Sequence, residues 1–396
     1  GVTHPRSTET HTDVLIIGGG IAGPALAAAL HNRDISVTLL ERSDAPLDTA
    51  RGDHLQPRTL EILADWGILP ALLEAGAEQR RGTRWFDEHG DPLLTVDLAG
   101  LPLRFPAYRF LNHETISQVL LNMAARNPRF QLIRPLHRWR LQAPGQVRVE
   151  HRDAPAQQFR YRLLIGADGA ASGVRRALGI DAESKRYQHP IGVLFGRWAA
   201  GNPDNDLLVS LGSERIVSAI PRTGGGCKIG LPLRRDELDH WRGLEAEGLE
   251  QALRTLAPAL AIRDLRFDGL YPPTRVLAQR WIGELAALVG DACHAMHPAR
   301  SQGMNIAIQN IQALLEGLPG DAATWSGERL ASALRRYDEE VRPAMEPRLQ
   351  DNHAAGQLMD AMSEDANGML KSRLAAVAAD PGKLERYALA AAGYDR

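Results

Sequence analysis

The stretch DVLIIGGGIAGPALAAALHNRDISVTLLER, residues 13–42, has the pattern of strand, glycine-rich turn, helix and second strand. Residues 14–17 form a short continuous apolar run, which is typical of a strand buried on both faces of a parallel sheet. Gly18, Gly20 and Gly23 follow in the spacing G-x-G-x-x-G, and an alanine-rich segment with strong helical preference comes next. This pattern predicts a βαβ unit that binds a dinucleotide.

Each residue of the unit has a physical role. Gly18 permits the tight turn, Gly20 lets a pyrophosphate approach the backbone, and Gly23 lets the helix pack closely. The helix N-terminus offers unpaired N–H groups to the phosphates. Glu41 ends the second strand, where it is placed to accept hydrogen bonds from a ribose diol. An acid there disfavours a 2′-phosphate, so the unit predicts FAD or NAD(H) and not NADP(H), without separating the first two.

Two arginines follow the second strand. Arg42 comes directly after Glu41 and is predicted to contact the cofactor. Arg51 lies in ARGDHLQPR, a loop predicted to cross the cofactor and to contact its pyrophosphate or the substrate side. A solvated loop arginine is the structural alternative for Arg51.

The composition of the whole chain excludes several classes of protein. A net charge of −2 over 396 residues gives no reason to expect nucleic acid or an anionic membrane as partner. The two cysteines, Cys227 and Cys293, exclude a disulfide framework and a cysteine-rich metal site. The chain has neither an apolar run of about 18 residues for a membrane span nor a secretory h-region. These features predict a cytoplasmic protein.

Alternating segments predict a second, mainly antiparallel sheet that interrupts the dinucleotide domain twice. Four candidate strands, IGVLFGRW, LLVSLG, RIVSAIP and CKIGLPL, lie between residues 190 and 233. The predicted fold class is α/β, with a Rossmann-like domain, a substrate-binding sheet domain and C-terminal helices. The predicted boundaries are 12–80, 105–180 and 272–348 for the dinucleotide domain, 81–104 and 181–271 for the sheet domain, and 349–396 for the helical tail.

Two further motifs follow apolar strands. GADGAASGVR spans residues 166–175, and GDACHAMHPARSQGMN spans residues 290–305. Together with the glycine-rich turn, in this order, they resemble the single-component (class A) FAD-dependent aromatic monooxygenases that are similar to para-hydroxybenzoate hydroxylase. The resemblance extends from about residue 13 to residue 347.

The resemblance implies an FAD-dependent, NAD(P)H-consuming monooxygenase that hydroxylates an aromatic or electron-rich ring with O₂ through a flavin C4a-hydroperoxide. A second G-x-G-x-x-G is absent from the sequence, which fits a family that binds NAD(P)H only transiently. The flavin supplies the oxygen chemistry, so no protein nucleophile or metal is expected. The substrate is expected between the 190–233 sheet and the flavin, and the enzyme is expected to be a monomer or homodimer.

The resemblance also assigns cofactor contacts. Asp291 is expected to hold the ribityl chain, and Asp168 to contact both FAD and NAD(P)H. Gly303, Met304 and Asn305 open a predicted long helix, whose backbone N–H groups and dipole are expected to face the N1–C2=O edge of the flavin. That edge gains negative charge on reduction, so the helix end is expected to stabilise the reduced form.

His113 and Asn310 stand where this chain differs from many relatives. His113 matches a position on the ribityl side at which other members often have Arg or Gln, and a helix-capping histidine is the structural alternative. At residue 310 the family usually has Asp, and this chain has Asn.

Two histidines of the third motif invite a metal interpretation. His294 and His297 are three residues apart, but no third ligand has metal-binding spacing, and His294 matches a structural position of the family. Pro298 is expected beside the flavin and the substrate. His297 adjoins Pro298, and both are predicted to take part in catalysis.

Other reactions remain open at this stage. Epoxidation, Baeyer–Villiger-type oxidation and dehydrogenation use the same fold. The W-x-W-x-I signature of related flavin halogenases is absent from the sequence, which disfavours halogenation. An NAD-dependent two-domain dehydrogenase is disfavoured by the motif at residues 290–305.

Overall fold

A computed structural model describes residues 8–44 and 54–394. Arg51 therefore lies outside the described residues, and its predicted contact stays a prediction. In the described part the strands are β1 (Thr8–Ile17), β2 (Val37–Leu40), β3 (His54–Leu55), β4 (Glu78–Arg80), β5 (Gly82–Phe86), β6 (Pro92–Asp97), β7 (Tyr108–Phe110), β8 (Phe130–Ile133), β9 (Arg138–Ala143), β10 (Gln146–Glu150), β11 (Gln157–Gly166), β12 (Ala182–Arg186), β13 (Ile191–Trp198), β14 (Leu207–Leu211), β15 (Ile216–Pro221), β16 (Gly226–Pro232), β17 (Ile262–Tyr271), β18 (Thr274–Ala278), β19 (Ile282–Gly283), β20 (Ala286–Leu288) and β21 (His294–Ala295).

Helices occupy the intervening segments and most of the C-terminal part. The α-helices of the described residues are α1 (Ala22–Ala29), α2 (Pro57–Asp65), α3 (Leu69–Glu74), α4 (His113–Ala124), α5 (Gly173–Ala177), α6 (Leu238–Gly243), α7 (Ala246–Leu256), α8 (Gly303–Gly317), α9 (Gly327–Arg336), α10 (Arg342–Ala361), α11 (Glu364–Ala379) and α12 (Pro381–Ala391). Short 3₁₀ turns at Gly290–Ala292 and Pro298–Arg300 belong to the third motif. None of the helices in the described ranges combines the length and the apolar character that a bilayer crossing requires.

The largest sheet is the framework of the dinucleotide domain. Over the described residues its order is β19-β20-β11-β1-β2-β8, and β10 and β9 extend it as antiparallel strands beside β11. The central pairs β20–β11, β11–β1, β1–β2 and β2–β8 are all parallel. Residues 14–17 and 37–40 are buried throughout, as the continuous apolar runs predict. Helices α1, α4 and α8 pack together beside this sheet.

The second large sheet confirms the predicted antiparallel strands. Its order is β17-β13-β16-β15-β14-β5-β6, and the predicted strands of residues 190–233 are β13 to β16. All neighbouring pairs are antiparallel except β14 and β5, which run parallel and join the first excursion of the chain to the second.

Two small sheets and the C-terminal helices connect these parts. β12 and β21 flank β18, so a strand predicted in the sheet domain pairs with one predicted in the dinucleotide domain. Helices α11 and α12 pack on β6, in a buried cluster that contains Val96, Leu374 and Ala388. The C-terminal segment thus covers part of the second sheet. The domain boundaries given above stay a prediction.

Candidate active site

The three motifs follow strands whose last residues are paired with one another across the parallel sheet. Ile17 at the end of β1 pairs with Leu40 of β2 and with Gly166 of β11, and Gly166 pairs with Leu288 of β20. Since these strands are parallel, the chain leaves all four at the same carboxyl edge, where ligands of open α/β sheets bind. The register therefore brings together the glycine-rich turn, Glu41 and the two later motifs.

The glycine-rich turn has the geometry that its spacing predicts. Gly18 has φ +121°, and a Cβ there would lie 2.1 Å from the carbonyl oxygen of Ala167. A Cβ on Gly23 would lie 1.8 Å from the carbonyl oxygen of Gly18, so the helix contacts the turn directly. A Cβ on Gly20 would meet no heavy atom of the described chain within 4 Å. Glycine is thus required at residues 18 and 23 by packing within the protein. At Gly20 it leaves space beside an exposed backbone.

Glu41 uses its carboxylate to bind the turn. One oxygen accepts a hydrogen bond from the backbone N–H of Gly19, and the other accepts from the N–H of Ser43 at 3.0 Å. The carboxylate lies so close to Gly19 that a Cβ there would be 2.2 Å from the acid oxygen. Arg42 is exposed. The ribose contact of Glu41 and the cofactor contact of Arg42 stay predictions.

Helix α4 brings His113 to the same turn. Ser117, one turn after His113, lies 3.4 Å from the carbonyl oxygen of Gly20, which its hydroxyl faces as donor. α4 also packs along α1. The first residue of α4, the half-buried His113, is therefore near the predicted phosphate position.

The second motif folds around Asp168. Its carboxylate accepts hydrogen bonds from the hydroxyl of Ser172 and from the backbone N–H groups of Gly173 and Val174, at 2.8 and 3.1 Å for the last two. Ser172 in turn caps α5 by accepting from the N–H of Arg175 at 3.0 Å. Asp168 thus satisfies donors at the start of α5. Its predicted contact with FAD and NAD(P)H is not tested by these bonds.

Arg175 joins the second motif to the third. Its guanidinium donates to the carbonyl oxygens of Ala292 at 2.9 Å and Ala170 at 2.8 Å. The side chain is 7% exposed, and burial lowers its pKa, an effect that the nearby Asp168 opposes. The arginine at the end of the second motif therefore fixes the backbone of the turn that carries Asp291.

The turn Gly290–Ala292 is fixed from its other side by α8. Gly290 has φ +66°, which favours glycine, and its N–H donates to Asn310 Oδ1 at 3.1 Å. The same oxygen lies 2.7 Å from His294 Nε2. Asp291 is half-buried at the tip of the turn, at the edge where the motifs meet.

The start of α8 is held by the side chain of Asn305. Its Oδ1 accepts from the N–H of Gln56 at 2.9 Å and from the hydroxyl of Thr59 at 2.6 Å. Its Nδ2 donates to the carbonyl oxygens of His54 and Ser301, both at 3.0 Å. The residue is completely buried. Its side chain therefore joins α8 to α2, and only its backbone remains for the predicted flavin contact.

The remaining surface at the start of α8 fits a group that carries or gains negative charge. A Cβ on Gly303 would meet no heavy atom of the described chain within 4 Å, and Met304 is half-buried. Gln302, the N-cap of α8, makes no capping bond with its side chain, and neither does Ile21 before α1. Two helix N-termini with open glycine backbones at one sheet edge fit a cofactor with a pyrophosphate and an electron-accepting ring.

His297 has a buried environment. Its side chain is 1% exposed, and its Nδ1 accepts from the N–H of Ala299 at 3.0 Å. The ring packs edge-on against Tyr187 at 4.7 Å between centroids, and a Cβ on Gly356 of α10 would lie 2.6 Å from its Cβ. Burial, with a smaller contribution from the neighbouring His353, lowers the pKa of His297 to about 4. These contacts favour a structural role, and catalysis by His297 stays a prediction.

Pro298 is exposed. The next residue, Ala299, packs against a buried cluster that combines Ile191 and Leu211 of the second sheet with Met359 of α10. The third motif thus adjoins a cluster shared by the C-terminal helices and the sheet that was expected to form the substrate site.

The two faces of the second large sheet have different surroundings. Leu194 and Ile229 belong to a buried cluster with Leu249 and Leu253 of α7, so this outer face is covered by a helix. Successive residues of a strand point to opposite faces. Phe195 therefore lies on the opposite face, here called the inner face, which also carries Ile191.

Basic side chains surround Phe195. In the strand register it lies opposite Lys228 of β16 and Arg266 of β17. The guanidinium carbons of Arg222 and Arg266 lie 4.8 and 4.9 Å from the centre of its ring. These distances are typical of cation–π contacts.

Arg80 connects this part of the inner face to α8. This fully buried guanidinium donates to the carbonyl oxygen of Pro221 and to His54 Nδ1, both at 2.9 Å. The carbonyl oxygen of His54 accepts from Asn305. A continuous path of hydrogen bonds therefore links the residue before Arg222 to the start of α8.

Comparison with known proteins assigns the chain to a family. Residues 11–351 match the family model described as FAD binding domain. The chain belongs to this FAD-binding family. The membership confirms the predicted resemblance to class A aromatic monooxygenases, the α/β flavoprotein fold, FAD as cofactor and monooxygenase activity.

Three known proteins are similar to this chain in sequence or in structure. An uncharacterized aromatic compound monooxygenase of Bacillus subtilis is 26% identical over 88% of this chain and 69% of its own length. A 6-methylpretetramide 4-monooxygenase of Streptomyces rimosus is 29% identical over 80% of this chain and 78% of its own. The crystal structure of p-nitrophenol 4-monooxygenase of Pseudomonas putida superimposes with TM-score 0.83, at 17% identity, over 98% of this chain and all of that one.

Sequence reasoning missed several connecting contacts. Arg175 was part of a quoted motif, but its bond to Ala292, 117 residues later, had no local signal. The bond of Ser117 to Gly20 and the path through Arg80 likewise depend on tertiary packing. For the contact between Arg175 and Ala292, the one signal in the sequence was the arginine that ends the second motif.

Proposed function

We propose that this FAD-binding protein uses NAD(P)H and O₂ to hydroxylate an aromatic ring that lies between Pro298 and the inner face of the second sheet. The bound flavin, once reduced by NAD(P)H, supplies the oxygen-activating chemistry. The observation that carries the proposal is the meeting of three motifs at one sheet edge, together with the packing of Ala299 against a cluster that contains residues of the second sheet. The residues of the chain would bind, orient and enclose the reactants.

Individual residues have defined tasks in this proposal. The open backbone at Gly20 and the N-terminus of α1 would bind the pyrophosphate, and Asp291 would accept hydrogen bonds from the ribityl hydroxyls. The N-terminus of α8 at Gly303 and Met304 would stabilise negative charge at the ring edge. Pro298 would limit access of water beside the substrate.

The inner face offers a mixed surface for the substrate. Phe195 supplies an apolar ring for stacking, and Lys228 lies opposite it in the register. Two residues along β16, Gly230 lies opposite the half-buried Ser218. A ring with a hydrogen-bonding substituent fits such a surface better than a purely aliphatic molecule. The names of the relatives, which include pentachlorophenol and 3-hydroxybenzoate monooxygenases, support an aromatic substrate.

The proposed cellular setting is the cytoplasm, with the protein as monomer or homodimer. Both cysteines are free and buried, which fits a reducing compartment. Burial raises the pKa of Cys227 to about 12 and also raises the pKa of Cys293 well above its usual value, so neither thiol is reactive at neutral pH.

A substrate panel tests the proposal. Purified holoenzyme is mixed with phenols, aminobenzoates and hydroxybenzoates, and oxidation of NADH and of NADPH is followed together with product mass. A true substrate should accelerate NAD(P)H oxidation and gain one oxygen atom, which ¹⁸O₂ should label. A product that takes its oxygen from water, or that gains none, would assign the oxidase or dehydrogenase reaction instead.

A further inference from the structure

Asn310 makes two hydrogen bonds with one oxygen in the interior of the protein. The residue lies in the middle of α8 and is completely buried. Its Oδ1 is 3.1 Å from the backbone N of Gly290 and 2.7 Å from His294 Nε2. A backbone N–H is always a donor, so the amide atom that faces Gly290 must be the oxygen. The Nδ2 group points instead to the sulfur of Met345 at 3.0 Å.

This orientation determines the proton position on His294. The oxygen of Asn310 is an acceptor only, so Nε2 of His294 must carry a hydrogen. Nδ1 of the same ring is buried and has no hydrogen-bond partner among the described residues. A protonated Nδ1 would be a buried donor without an acceptor, and burial accordingly lowers the pKa of His294. His294 is thus the neutral Nε2–H tautomer.

The hydrogen bond between Gly290 and Asn310 also fixes the turn that carries Asp291. Gly290 adopts φ +66°, and a Cβ there would lie 3.2 Å from the Cβ of Ala22 in α1. The turn is therefore packed against the helix of the first motif and hydrogen-bonded to α8 at once. A shift of Asn310 Oδ1 would free both the N–H of Gly290 and the ring of His294.

We propose that Asn310 is a positioning residue for FAD: its single oxygen fixes the Gly290–Asp291 turn and keeps His294 neutral beneath it. The inference rests on the proposed contact of Asp291 with the ribityl chain. The needed group is an acceptor oxygen at residue 310. Aspartate at this position keeps that oxygen and adds a charge that a protonated His294 balances, whereas leucine removes the oxygen.

Four variants and apoprotein titrations test the inference. Quenching of FAD fluorescence gives the dissociation constant for the wild type, Asn310→Leu, Asn310→Asp, Asp291→Ala and the control Asn367→Leu. Asn367 is equally buried and donates to the carbonyl oxygen of Gly212, far from the three motifs in the sequence. We expect Asn310→Leu to bind FAD at least about tenfold more weakly. Asn310→Asp should stay within about threefold of the wild type, and Asn367→Leu should lose thermal stability only.

The tautomer provides a second readout that a general loss of packing would not produce. In protein with ¹⁵N-labelled histidine, the signals lost in His294→Phe identify this ring. We expect the neutral Nε2–H pattern in the wild type from pH 6 to 8 and a protonated ring in Asn310→Asp. This measurement remains available where Asn310→Leu does not fold.

The outcomes separate the two proposals. Wild-type FAD affinity in folded Asn310→Leu, or affinity in Asn310→Asp as weak as in Asn310→Leu, would each overturn the positioning role. A protonated His294 in the wild type would overturn the statement that Asn310 keeps this ring neutral. Unchanged affinity in Asp291→Ala would instead refute the ribityl contact itself. Loss of affinity in Asp291→Ala with none in Asn310→Leu would leave that contact standing without the positioning role.

Discussion

The guanidinium of Arg175 donates to the carbonyl oxygen of Ala292 at 2.9 Å and so joins two motifs that are more than a hundred residues apart. The bond ends at the residue after Asp291, and Asn310 accepts a hydrogen bond from the residue before it. Because Arg175 is buried, its loss leaves a carbonyl without a donor as well as a cavity. Hydrogen bonds from the second motif and to α8 therefore both hold the turn of the third motif.

Replacement of Arg175 by methionine should weaken both the fold and FAD binding. Two charged hydrogen bonds are lost, each worth about 1.5–3 kcal/mol. Arg176 is the matched control, because it is exposed and donates to the carbonyl oxygen of the neighbouring Ala171. Thermal unfolding and FAD titration of Arg175→Met and Arg176→Met check the prediction. Equal effects of the two substitutions would contradict it.

Two glycines of the first motif should respond differently to alanine. Gly23→Ala places a Cβ 1.8 Å from the carbonyl oxygen of Gly18, so we expect misfolding or a large loss of stability. Gly20→Ala meets no heavy atom of the described residues within 4 Å, so we expect a folded protein in which the methyl group blocks the pyrophosphate. Circular dichroism measures the fold, and FAD titration measures binding. Wild-type FAD affinity in Gly20→Ala would contradict the pyrophosphate position.

His297 should make the stability of the protein depend on pH. Its pKa falls to about 4 in the folded state, against 6.5 ordinarily, so the unfolded chain binds more protons between these values. Stability therefore falls as the pH drops below 6.5, and the contribution levels off below about 4. At pH 5 the loss amounts to at most about 2 kcal/mol.

Denaturant unfolding at pH 7.5 and pH 5 checks this dependence. His297→Asn keeps an acceptor for the N–H of Ala299 but does not titrate, so its stability should fall less than that of the wild type over this range. His89, which is exposed, provides the control substitution His89→Asn. Identical pH dependence in the wild type and His297→Asn would show that the ring is not buried as described.

Local patterns sufficed to predict the elements of the nucleotide domain. The apolar run at residues 14–17, the glycine spacing and the alanine-rich helix act through neighbours in the sequence, and each formed as predicted. The four strands of residues 190–233 were also predicted, because their alternation reflects one face against a helix. The long helix predicted to open at Gly303 begins at that residue.

Contacts between distant segments escaped prediction for a physical reason. Periodicity reports which face of an element is buried, and it does not report what covers that face. Nothing near Asn305 in the sequence indicates that its amide binds Gln56 and Thr59. His297 was predicted from its neighbour Pro298, yet the direction of its side chain depends on α10, which packs against it at Gly356.

The last prediction uses two adjacent residues on opposite faces of β13. Leu194 is completely buried under α7, whereas Phe195 faces the proposed substrate site. Leu194→Ala should cost about 2–5 kcal/mol of stability and leave KM for the aromatic substrate within about twofold in the folded enzyme. Phe195→Ala removes the ring against which the substrate would stack, so kcat/KM should fall about tenfold or more, with KM raised. Steady-state kinetics with the substrate found in the panel, and unfolding curves for both variants, provide the comparison. Because the two substitutions differ by one residue in the same strand, a general disturbance of β13 would affect both alike. A greater kinetic defect in Leu194→Ala than in Phe195→Ala would place the substrate away from the inner face.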